Sequence, residues 1–290
     1  MHRTLGLFSA SLIAALFLGA CASKQSVDSS DSGTPDKTLS GEQVVLKVLK
    51  EGLVGGDLDV IKQYVAEDYK QHNPMAADGR QGLLDFIESL PKDARLKYRN
   101  VRIFTDGEFI VTHNEYDWGQ KQVVIDLFRV KDNMLVEHWD AIQIPPAESV
   151  NKNTMLDGAT KVTDKDKTAA NKKLVRAFVD DVLVGGDLSK ISTYIDGENF
   201  TQHNPTIANG ATAWSNAMLH SRNFGKEYKY DVRRVIGEGN FVLVQSKAVK
   251  SGEELAMYNL FRVENDKIVE HWDVMQTIPD NPANDNGMVD

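Results

Sequence analysis

Apolar side chains between residues 43 and 90 recur at the three-to-four-residue spacing that is typical of amphipathic helices. The spacing predicts three helices, over residues 43–53, 58–66 and 81–90. Gly55 and Gly56 follow the first helix, where glycine commonly ends helical structure, and Asp57 can cap the second. This stretch of the chain is therefore predicted to be helical.

The next residues alternate apolar and polar side chains, which is typical of β-strands with one buried face. Four such runs cover residues 96–104, 108–117, 122–131 and 134–143. Gly107 and the pair Asp132-Asn133 supply turns between neighbouring runs. Helices followed by a meander of antiparallel strands predict an α+β fold, with the helices packed on one face of a bent sheet.

This pattern of helices and strands occurs twice along the chain. Four motifs are repeated: LVGGDL at 53–58 and 183–188, QHNP at 71–74 and 202–205, LFRV at 127–130 and 260–263, and VEHWD at 136–140 and 269–273. The ends of the copies match as well, with Asn151, Asn153, Met155 and Asp157 corresponding to Asn284, Asn286, Met288 and Asp290. The offset changes only from 130 to 133 residues, whereas solenoid repeats recur every ~20–50 residues. We therefore predict two tandem domains, at residues 42–157 and 170–290, joined by a charged linker at 158–169.

Composition and charge narrow the class of protein. The chain of 290 residues is long enough for two domains, and its net charge of -9 argues against a broad basic surface for nucleic acid. A single cysteine excludes a disulfide framework and any zinc site that needs two thiolates. We therefore expect an acidic two-domain protein that does not bind nucleic acid.

The first part of the chain has the pattern of a secretory signal. Arg3 is followed by a short apolar run that ends at Cys21, and this run is too short to span a bilayer comfortably. The sequence Leu18-Gly19-Ala20-Cys21 resembles a bacterial lipobox, which implies removal of residues 1–20 and acylation of Cys21 by fatty acids such as palmitate. The alternatives are an ordinary signal peptide or a buried helix, in either case with a chance cysteine.

Two further features concern the location of the mature protein. The lipoprotein resemblance, with Ala22 rather than aspartate after the cysteine, implies the outer membrane of a Gram-negative bacterium. Residues 21–41 are rich in Ser, Asp and Gly and nearly free of large apolar side chains, which predicts a flexible tether. We therefore expect a cell-envelope protein that is anchored to the membrane through Cys21.

Ionisable side chains gather in the QHNP motif and in the predicted strands. His138 and Asp140 share one face of a strand, and Asp126 lies among apolar neighbours, where a carboxylate is costly unless it is paired or functional. Together with His72 and His113, they would converge on one concave pocket if the sheet curves over the helices. Each residue alone is more typical of a structural group, but carboxylates and imidazoles that shift one another's pKa suit proton transfer.

The second copy retains three of these five side chains, as His203, His271 and Asp273. The other two are replaced by neutral amides, since Asn259 stands at the position of Asp126 and Gln245 at that of His113. A neutral amide contributes no charge to a neighbouring imidazole. We therefore expect the first copy to dominate any catalysis.

The motifs QHNP, DLFRV and VEHWD, with Asn-x-Asn-x-Met at the end of each copy, resemble the SnoaL-like family over nearly all of both copies. The resemblance implies the cone-shaped α+β fold named for nuclear transport factor 2, in two tandem domains. In polyketide cyclases of this family, an aspartate two residues after a histidine on a late strand is the acid/base of a cofactor-free aldol closure. The resemblance gives this role to the pairs His138-x-Asp140 and His271-x-Asp273. It places His72 and His203 at an early pocket position.

Two functions from different classes are consistent with these residues. The first is cofactor-free proton transfer of the aldol, isomerase or dehydratase type on a small carbonyl compound, with Asp140 as base and His72 or His138 as acid. The second is non-catalytic, either binding of a small apolar ligand or assembly. A metal site formed by His72, His113, His138 and a carboxylate is a third alternative, for which the sequence has no recognised ligand motif.

The two copies are expected to form a pair within one chain, because domains of this family often pair through their sheets. Trp139 and Trp272 point away from the pocket on the last strand of each copy. We expect both tryptophans to lie near the interface of this pair.

Overall fold

The structure, a computed structural model, describes residues 34–90 and 96–290. The predicted signal segment, Cys21 and the first part of the tether lie outside these ranges, so lipidation stays a prediction. Within them, no helix is long and apolar enough to cross a lipid bilayer. Residues 34–157 form the first half of the described structure, and residues 158–290 form the second half.

Three helices open the first half: α1 (Gly41–Lys47), which continues into a π-helical segment (Val48–Val54), α2 (Leu58–Tyr64) and α3 (Gly79–Ser89). Asp57 caps α2 as predicted, because its Oδ1 accepts hydrogen bonds from the backbone N–H groups of Asp59 and Val60. Leu90, which precedes a proline in the sequence, is extended and ends α3. Three helices are therefore observed where three are predicted, but the second ends earlier than expected.

The end of the predicted tether belongs to the folded structure. The backbone oxygen of Thr34 accepts a hydrogen bond from Gln63 Nε2 at 3.0 Å, and that of Leu39 accepts one from Asn133 Nδ2 at 2.6 Å. Ser40 then caps α1. The chain is therefore held against the first half from residue 34 onward, which shortens the predicted tether.

The first half also contains a five-stranded sheet, whose first strand lies between α2 and α3 in the chain. Its strands are β1 (Val65–Gln71), β2 (Lys97–Asp106), β3 (Phe109–Asp117), β4 (Lys121–Lys131) and β5 (Met134–Gln143). Their order is β1-β5-β4-β3-β2, and neighbouring strands are antiparallel except β1, which is parallel to β5. The four predicted strands are confirmed.

Strand β1 corrects the sequence prediction, which continues the second helix to residue 66. Val65 has extended backbone angles and pairs with Leu135 of β5. The apolar residues around position 65 fit helical spacing locally, and the pairing partner lies far away in the sequence. Long-range pairing therefore decides the conformation of this segment, as is common for strands.

The second half repeats this architecture. Its helices are α4 (Thr168–Phe178), which continues into a π-helical segment (Val179–Val184), α5 (Ile191–Tyr194) and α6 (Ala211–Asn223). Its strands are β6 (Thr201–Gln202), β7 (Lys229–Glu238), β8 (Phe241–Lys250), β9 (Glu253–Glu264) and β10 (Lys267–Thr277). The strand order β6-β10-β9-β8-β7 matches that of the first half, with β6 parallel to β10. The predicted α+β fold, with two mainly antiparallel sheets and helices on each, is confirmed.

One apolar cluster contains side chains from both sheets, among them Phe104, Leu127, Trp139, Leu243, Tyr258 and Trp272. The guanidinium carbon of Arg102, from the first half, lies 4.1 Å from the ring centre of Trp272. That of Arg234, from the second half, lies 4.3 Å from the ring centre of Trp139. Both tryptophans therefore lie where side chains of the two sheets meet.

Each half sends the segment after its last strand across the other half. Residues 149–157, the first tail, follow β5, and the backbone N–H of Val150 donates to the oxygen of Pro205 at 2.9 Å. Residues 283–290, the second tail, follow β10, and the backbone N–H of Ala283 donates to the oxygen of Pro74 at 2.8 Å. The QHNP motif of each half is thus contacted by the tail of the other half.

Candidate active site

A cavity of about 410 Å³ lies between the helices and the sheet of the first half. Most of its lining is apolar and includes Leu49, Leu53, Leu83, Phe86, Tyr116 and Trp118. The ionisable groups among its lining residues are three neighbouring side chains, Asp126, His138 and Asp140, and two tyrosines. An apolar cavity with a few grouped polar side chains is the usual form of a small-molecule site.

The strand register brings these three side chains together. Asp126 of β4 is paired directly with Asp140 of β5, and Phe128 is paired with His138 two residues away. Because side chains alternate along a strand, the three ionisable side chains share one face of the sheet. Their convergence, predicted from the sequence, is observed in the structure.

The imidazole of His138 has a defined proton on Nδ1. This atom lies 2.9 Å from Oε1 of Gln71, and the same Oε1 accepts the backbone N–H of Asn73 at 2.9 Å. Since Oε1 is an acceptor, Nδ1 must donate. The other ring nitrogen, Nε2, lies 3.1 Å from Oδ1 of Asp126, so any second proton of His138 is shared with this carboxylate.

Asp126 is held by two further donors. Its Oδ2 accepts hydrogen bonds from Oγ1 of Thr112 at 3.1 Å and from Nδ2 of Asn114 at 2.6 Å. Both donors come from β3, on the same face of the sheet. Asp126 is therefore oriented so that its Oδ1 faces the imidazole of His138.

Asp140 has one engaged oxygen and one without a partner. Oδ2 accepts a hydrogen bond from Nδ2 of Asn73 at 2.6 Å, whereas Oδ1 is buried and has no hydrogen-bond partner among the described residues. Burial raises the pKa of Asp140 to about 6, with the charge of Asp126 adding to the effect and His138 and Asn73 opposing it. This carboxyl group therefore titrates close to neutral pH.

His138 is shifted toward its protonated form. Burial lowers the pKa of an imidazole, but the hydrogen bond to Asp126 and the charges of Asp140 and Asp126 outweigh it and raise the pKa of His138 above its ordinary value. A protonated His138–Asp126 pair thus lies beside a carboxylate with an unoccupied oxygen. Such an arrangement supplies both an acid and a base near neutral pH.

Among the described residues, the same three side chains form a group that could hold a metal ion. One ligand atom from each of Asp126, His138 and Asp140 lies within 4.8 Å of the others. Carboxylate and imidazole ligands suit several divalent metals. The set of His72, His113 and His138, considered from the sequence, is not brought together, because His72 and His113 are directed to the other face of the sheet.

His72 is the first correction to the predicted pocket. Its ring stacks on Trp139 at 4.7 Å, its Nδ1 donates to the backbone oxygen of Gly287 at 2.6 Å, and its Nε2 lies 3.0 Å from Oε1 of Glu137. Gln71 and Asn73, on either side of it, direct their side chains into the cavity instead. The alternation of an extended chain therefore turns His72 away from the cavity.

His113 is the second correction. It pairs with Ile125, on the face opposite to Thr112 and Asn114, and its Nδ1 lies 3.1 Å from NH1 of Arg102. Burial and the charge of Arg102 hold the pKa of His113 well below its ordinary value. A neutral imidazole with this neighbour is a structural group between the halves.

Four polar residues of the site are absent from the sequence prediction: Gln71, Asn73, Thr112 and Asn114. The QHNP motif contains the first two, but only its histidine is predicted from the sequence to be a pocket residue. The other two follow from strand alternation, since residues 112 and 114 lie on the face of Asp126 once β3 and β4 are in register. The sequence alone does not give the register of β3 against β4, which is needed to place Thr112 and Asn114 beside Asp126.

The second half has the same backbone arrangement with different chemistry. His271 contacts Oε1 of Gln202 at 2.9 Å, and Asn204 donates to Asp273 at 2.7 Å. The other imidazole nitrogen of His271 faces Asn259, a neutral amide, at 3.0 Å. Burial lowers the pKa of His271 to about 3 and raises that of Asp273 to about 6. His271 is therefore neutral at physiological pH, in contrast to the shift of His138.

An aromatic side chain covers the imidazole of the second half. Trp214 is buried and stacks on His271 at 4.6 Å. Trp214 lies five residues after Asn209, whose side chain accepts the backbone N–H of Gln202. In the first half, Leu83 lies five residues after Asp78, whose side chain accepts the backbone N–H of Gln71. Trp214 thus takes the place of a cavity-lining leucine. His203, like His72, lies outside this arrangement and stacks on Trp272 at 4.8 Å.

Several solved structures resemble parts of this chain. A candidate ketosteroid isomerase from Kribbella flavida is 14% identical, with 40% of this chain and 84% of that chain covered and a TM-score of 0.35. IdmH, a candidate polyketide cyclase from Streptomyces antibioticus, is 18% identical, with coverages of 37% and 91% and a TM-score of 0.32. An NTF2-like protein of unknown function from Cytophaga hutchinsonii is 20% identical, with coverages of 41% and 95% and a TM-score of 0.32. At these values the similarity says nothing about activity.

Family membership rests on the sequence. Among curated proteins, none is significantly similar to this chain. The family profile of the SnoaL-like domain, however, matches residues 47–138 and residues 175–271, which together are about two thirds of the chain. Each matched segment contains the QHNP motif and the last histidine of its half. The chain therefore belongs to the SnoaL-like domain family, which it matches once in each half.

Proposed function

We propose that the cavity of the first half carries out acid–base chemistry on a small, mainly apolar carbonyl compound. The observation that supports this most strongly is the unpartnered Oδ1 of Asp140 beside the His138–Asp126 pair, on the sheet side of an apolar cavity. A buried carboxylate oxygen without a partner is costly. Such a cost is understandable where the oxygen acts on a ligand.

Proton transfer in this site has a defined direction. Asp140 Oδ1 takes a proton from the carbon next to the carbonyl group of the substrate, and the electron pair of the broken C–H bond moves into the new C=C bond of an enolate. The His138–Asp126 pair gives its shared proton to the carbonyl oxygen, so that a neutral enol is formed. Return of the protons to other positions gives isomerisation, and attack of the enol carbon on a second carbonyl gives aldol closure.

The lining defines the kind of substrate. Among the described residues that line the cavity there is no lysine or arginine, and two carboxylates lie on its sheet side. An anionic substrate would be repelled and would find no cation to pair with. A volume of about 410 Å³ with an apolar lining therefore suits a neutral molecule.

Binding without turnover is the second candidate function. The apolar lining and exposed side chains at the cavity, Met75 and Ile144, which are 63% and 51% exposed, suit an apolar ligand as well as a substrate. The two functions differ in whether Asp140 removes a proton from the ligand. A proton-exchange measurement separates them.

We also propose that the folded part is held at the bacterial envelope by a lipid on Cys21. The support is the apolar run that ends in Leu-Gly-Ala-Cys at the only cysteine of the chain. The described residues begin at Thr34, whose backbone oxygen already contacts the first half. The cavity would then act on small molecules of the envelope.

Solvent exchange tests the catalytic proposal without a known substrate. In D₂O, the protein should speed up deuterium incorporation next to the carbonyl group in at least one member of a panel of neutral cyclic ketones and enones, followed by ¹H NMR. The rate should rise with pH through about 6, because Asp140 must be ionised to act as base. Asp140→Asn should lower the enhancement by ~100- to 10,000-fold, the usual contribution of a general base.

The matched control for this experiment is Asp273→Asn, because Asp273 has the same amide partner and a pKa that is also raised to about 6. This variant should leave the exchange rate nearly unchanged. Equal losses in both variants would contradict the assignment to the first half. No exchange with any ketone would overturn the catalytic proposal in favour of binding.

The exchange of a leucine for a tryptophan tests which half binds ligands. Leu83→Trp should weaken binding of N-phenyl-1-naphthylamine, a neutral apolar fluorophore, by roughly tenfold or more, because the larger side chain overfills the cavity. The reciprocal change, Trp214→Leu in the second half, should leave the affinity of the first site unchanged. Fluorescence titration measures both, and unchanged binding by Leu83→Trp would show that the fluorophore binds elsewhere.

A metabolic label tests the lipid anchor. Cells that express the full chain and are fed an alkyne-tagged palmitate analogue should incorporate the label into this protein, and Cys21→Ser should abolish it, since the chain has no other thiol. The protein should also move from the membrane fraction to the soluble fraction. Label that persists in Cys21→Ser would refute the anchor.

A further inference from the structure

The second tail holds the backbone of the QHNP motif in the first half. Asn284 Nδ2 donates to the backbone oxygens of Asn73 at 2.8 Å and Ala76 at 2.9 Å. Asn286 Nδ2 donates to the backbone oxygen of Gln71 at 2.8 Å. Two side-chain amides of the second half therefore hold the two motif residues that point into the cavity.

A second contact of Asn286 strengthens this hold. Its Nδ2 also donates to Oδ1 of Asp78 at 2.8 Å, and the same oxygen accepts the backbone N–H of Gln71 at 2.8 Å. Gln71 is thus held at both its N–H and its C=O group. The pairing of β1 with β5 places Gln71 in the sheet, and the second tail adds a hydrogen bond to its C=O group and one to the carboxylate that accepts its N–H.

The motif residues carry this positioning directly to the ionisable groups. Gln71 accepts the Nδ1 proton of His138, and Asn73 donates to Oδ2 of Asp140. Asn73 thus links Asn284 to Asp140, and Gln71 links Asn286 to His138. If either motif backbone shifted, the corresponding hydrogen bond would lengthen, and hydrogen bonds weaken steeply with poor geometry.

We propose that Asn284 and Asn286 are positioning residues for the acid–base site of the first half, so that this site is complete only with the second tail in place. The catalytic meaning of this assignment rests on the proposed function. The assignment itself stands on hydrogen bonds that link the tail to Gln71 and Asn73. It also gives the second half a role in the first site although its own imidazole is neutral and covered.

The mirrored contacts of the first tail supply a matched control. Asn151 Nδ2 donates to the backbone oxygens of Asn204 at 2.7 Å and Ile207 at 2.9 Å. Asn153 Nδ2 donates to the backbone oxygen of Gln202 at 2.9 Å. Loss of Asn151 or Asn153 should therefore perturb stability much as loss of Asn284 or Asn286 does, but at the other site.

The test is a ¹³C NMR titration of the Asp140 carboxyl group in the full chain, with the signal assigned by its absence in Asp140→Asn. In Asn284→Ala the titration midpoint should move upward by about one pH unit, because the ionised carboxylate loses a well-placed amide donor. In Asn151→Ala the midpoint should stay at the value of the unmodified protein. Should Asn284→Ala fail to fold, Asn286→Ala replaces it, with ¹⁵N titration of His138 as the measurement and Asn153→Ala as the control. The midpoint of His138 should then fall, because Asn286 holds Gln71, which accepts the Nδ1 proton of His138.

An unchanged midpoint in the folded second-tail variant would overturn the proposal. An equal shift in the matched first-tail variant would also overturn it, because the effect would then reflect general loosening of the structure. The titration requires no substrate. Failure of the ketone exchange experiment would refute the proposed function alone, whereas an unchanged midpoint would refute only the positioning assignment.

Discussion

Two carboxylates, Asp126 and Asp140, lie directly opposite each other on neighbouring strands beside an apolar cavity, and buried negative charge of this kind is unfavourable unless protons or hydrogen bonds offset it. The surrounding polar residues supply these hydrogen bonds. Thr112 and Asn114 donate to Asp126, Asn73 donates to Asp140, and His138 shares a proton with Asp126. No lysine or arginine among the described residues lines the cavity, so the compensation comes from neutral donors and one imidazole. Oδ1 of Asp140 is left without a hydrogen-bond partner among the described residues, as is Oδ1 of Asp273 in the second half.

The second half shows what the same backbone does without this constraint. Asn259 removes one of the two charges, and the position of Asn114 is held by Ser246, whose buried hydroxyl has no partner among the described residues. The imidazole of His271 is then neutral, and Trp214 lies against it. Replacement of one carboxylate is thus accompanied by a change at the position of one of its donors and by a tryptophan ring against the imidazole. The tail of this half contacts the QHNP motif of the first half.

The sequence predicts the parts of the fold and site that depend on local spacing. Helix α3, the four long strands and the shared face of His138 and Asp140 follow from periodicity, and the motifs identify the family. What it could not supply is the relation between segments. Strand β1 depends on pairing with β5, and the facing of His113 depends on the register of β3 against β4. His72 is turned away because its neighbours in the motif take the cavity side. The crossing of the tails has a sequence signal, the repeated Asn-x-Asn-x-Met, but its partner is visible only in three dimensions.

We expect the imidazoles of His138 and His271 to differ in protonation state near neutral pH, and ¹⁵N NMR of the histidine rings measures this difference. The hydrogen bond to Asp126 and the charges of Asp140 and Asp126 raise the pKa of His138, so that it stays protonated above the usual midpoint of histidine. Burial without a carboxylate partner lowers the pKa of His271 to about 3, so that its imidazole is neutral above that pH. At pH 6.5 ring nitrogens should therefore report a mostly protonated His138 and a neutral His271, with Asp126→Asn making His138 resemble His271. A neutral His138 at this pH, or a His138 signal that Asp126→Asn leaves unchanged, would show that Asp126 does not hold the proton on His138.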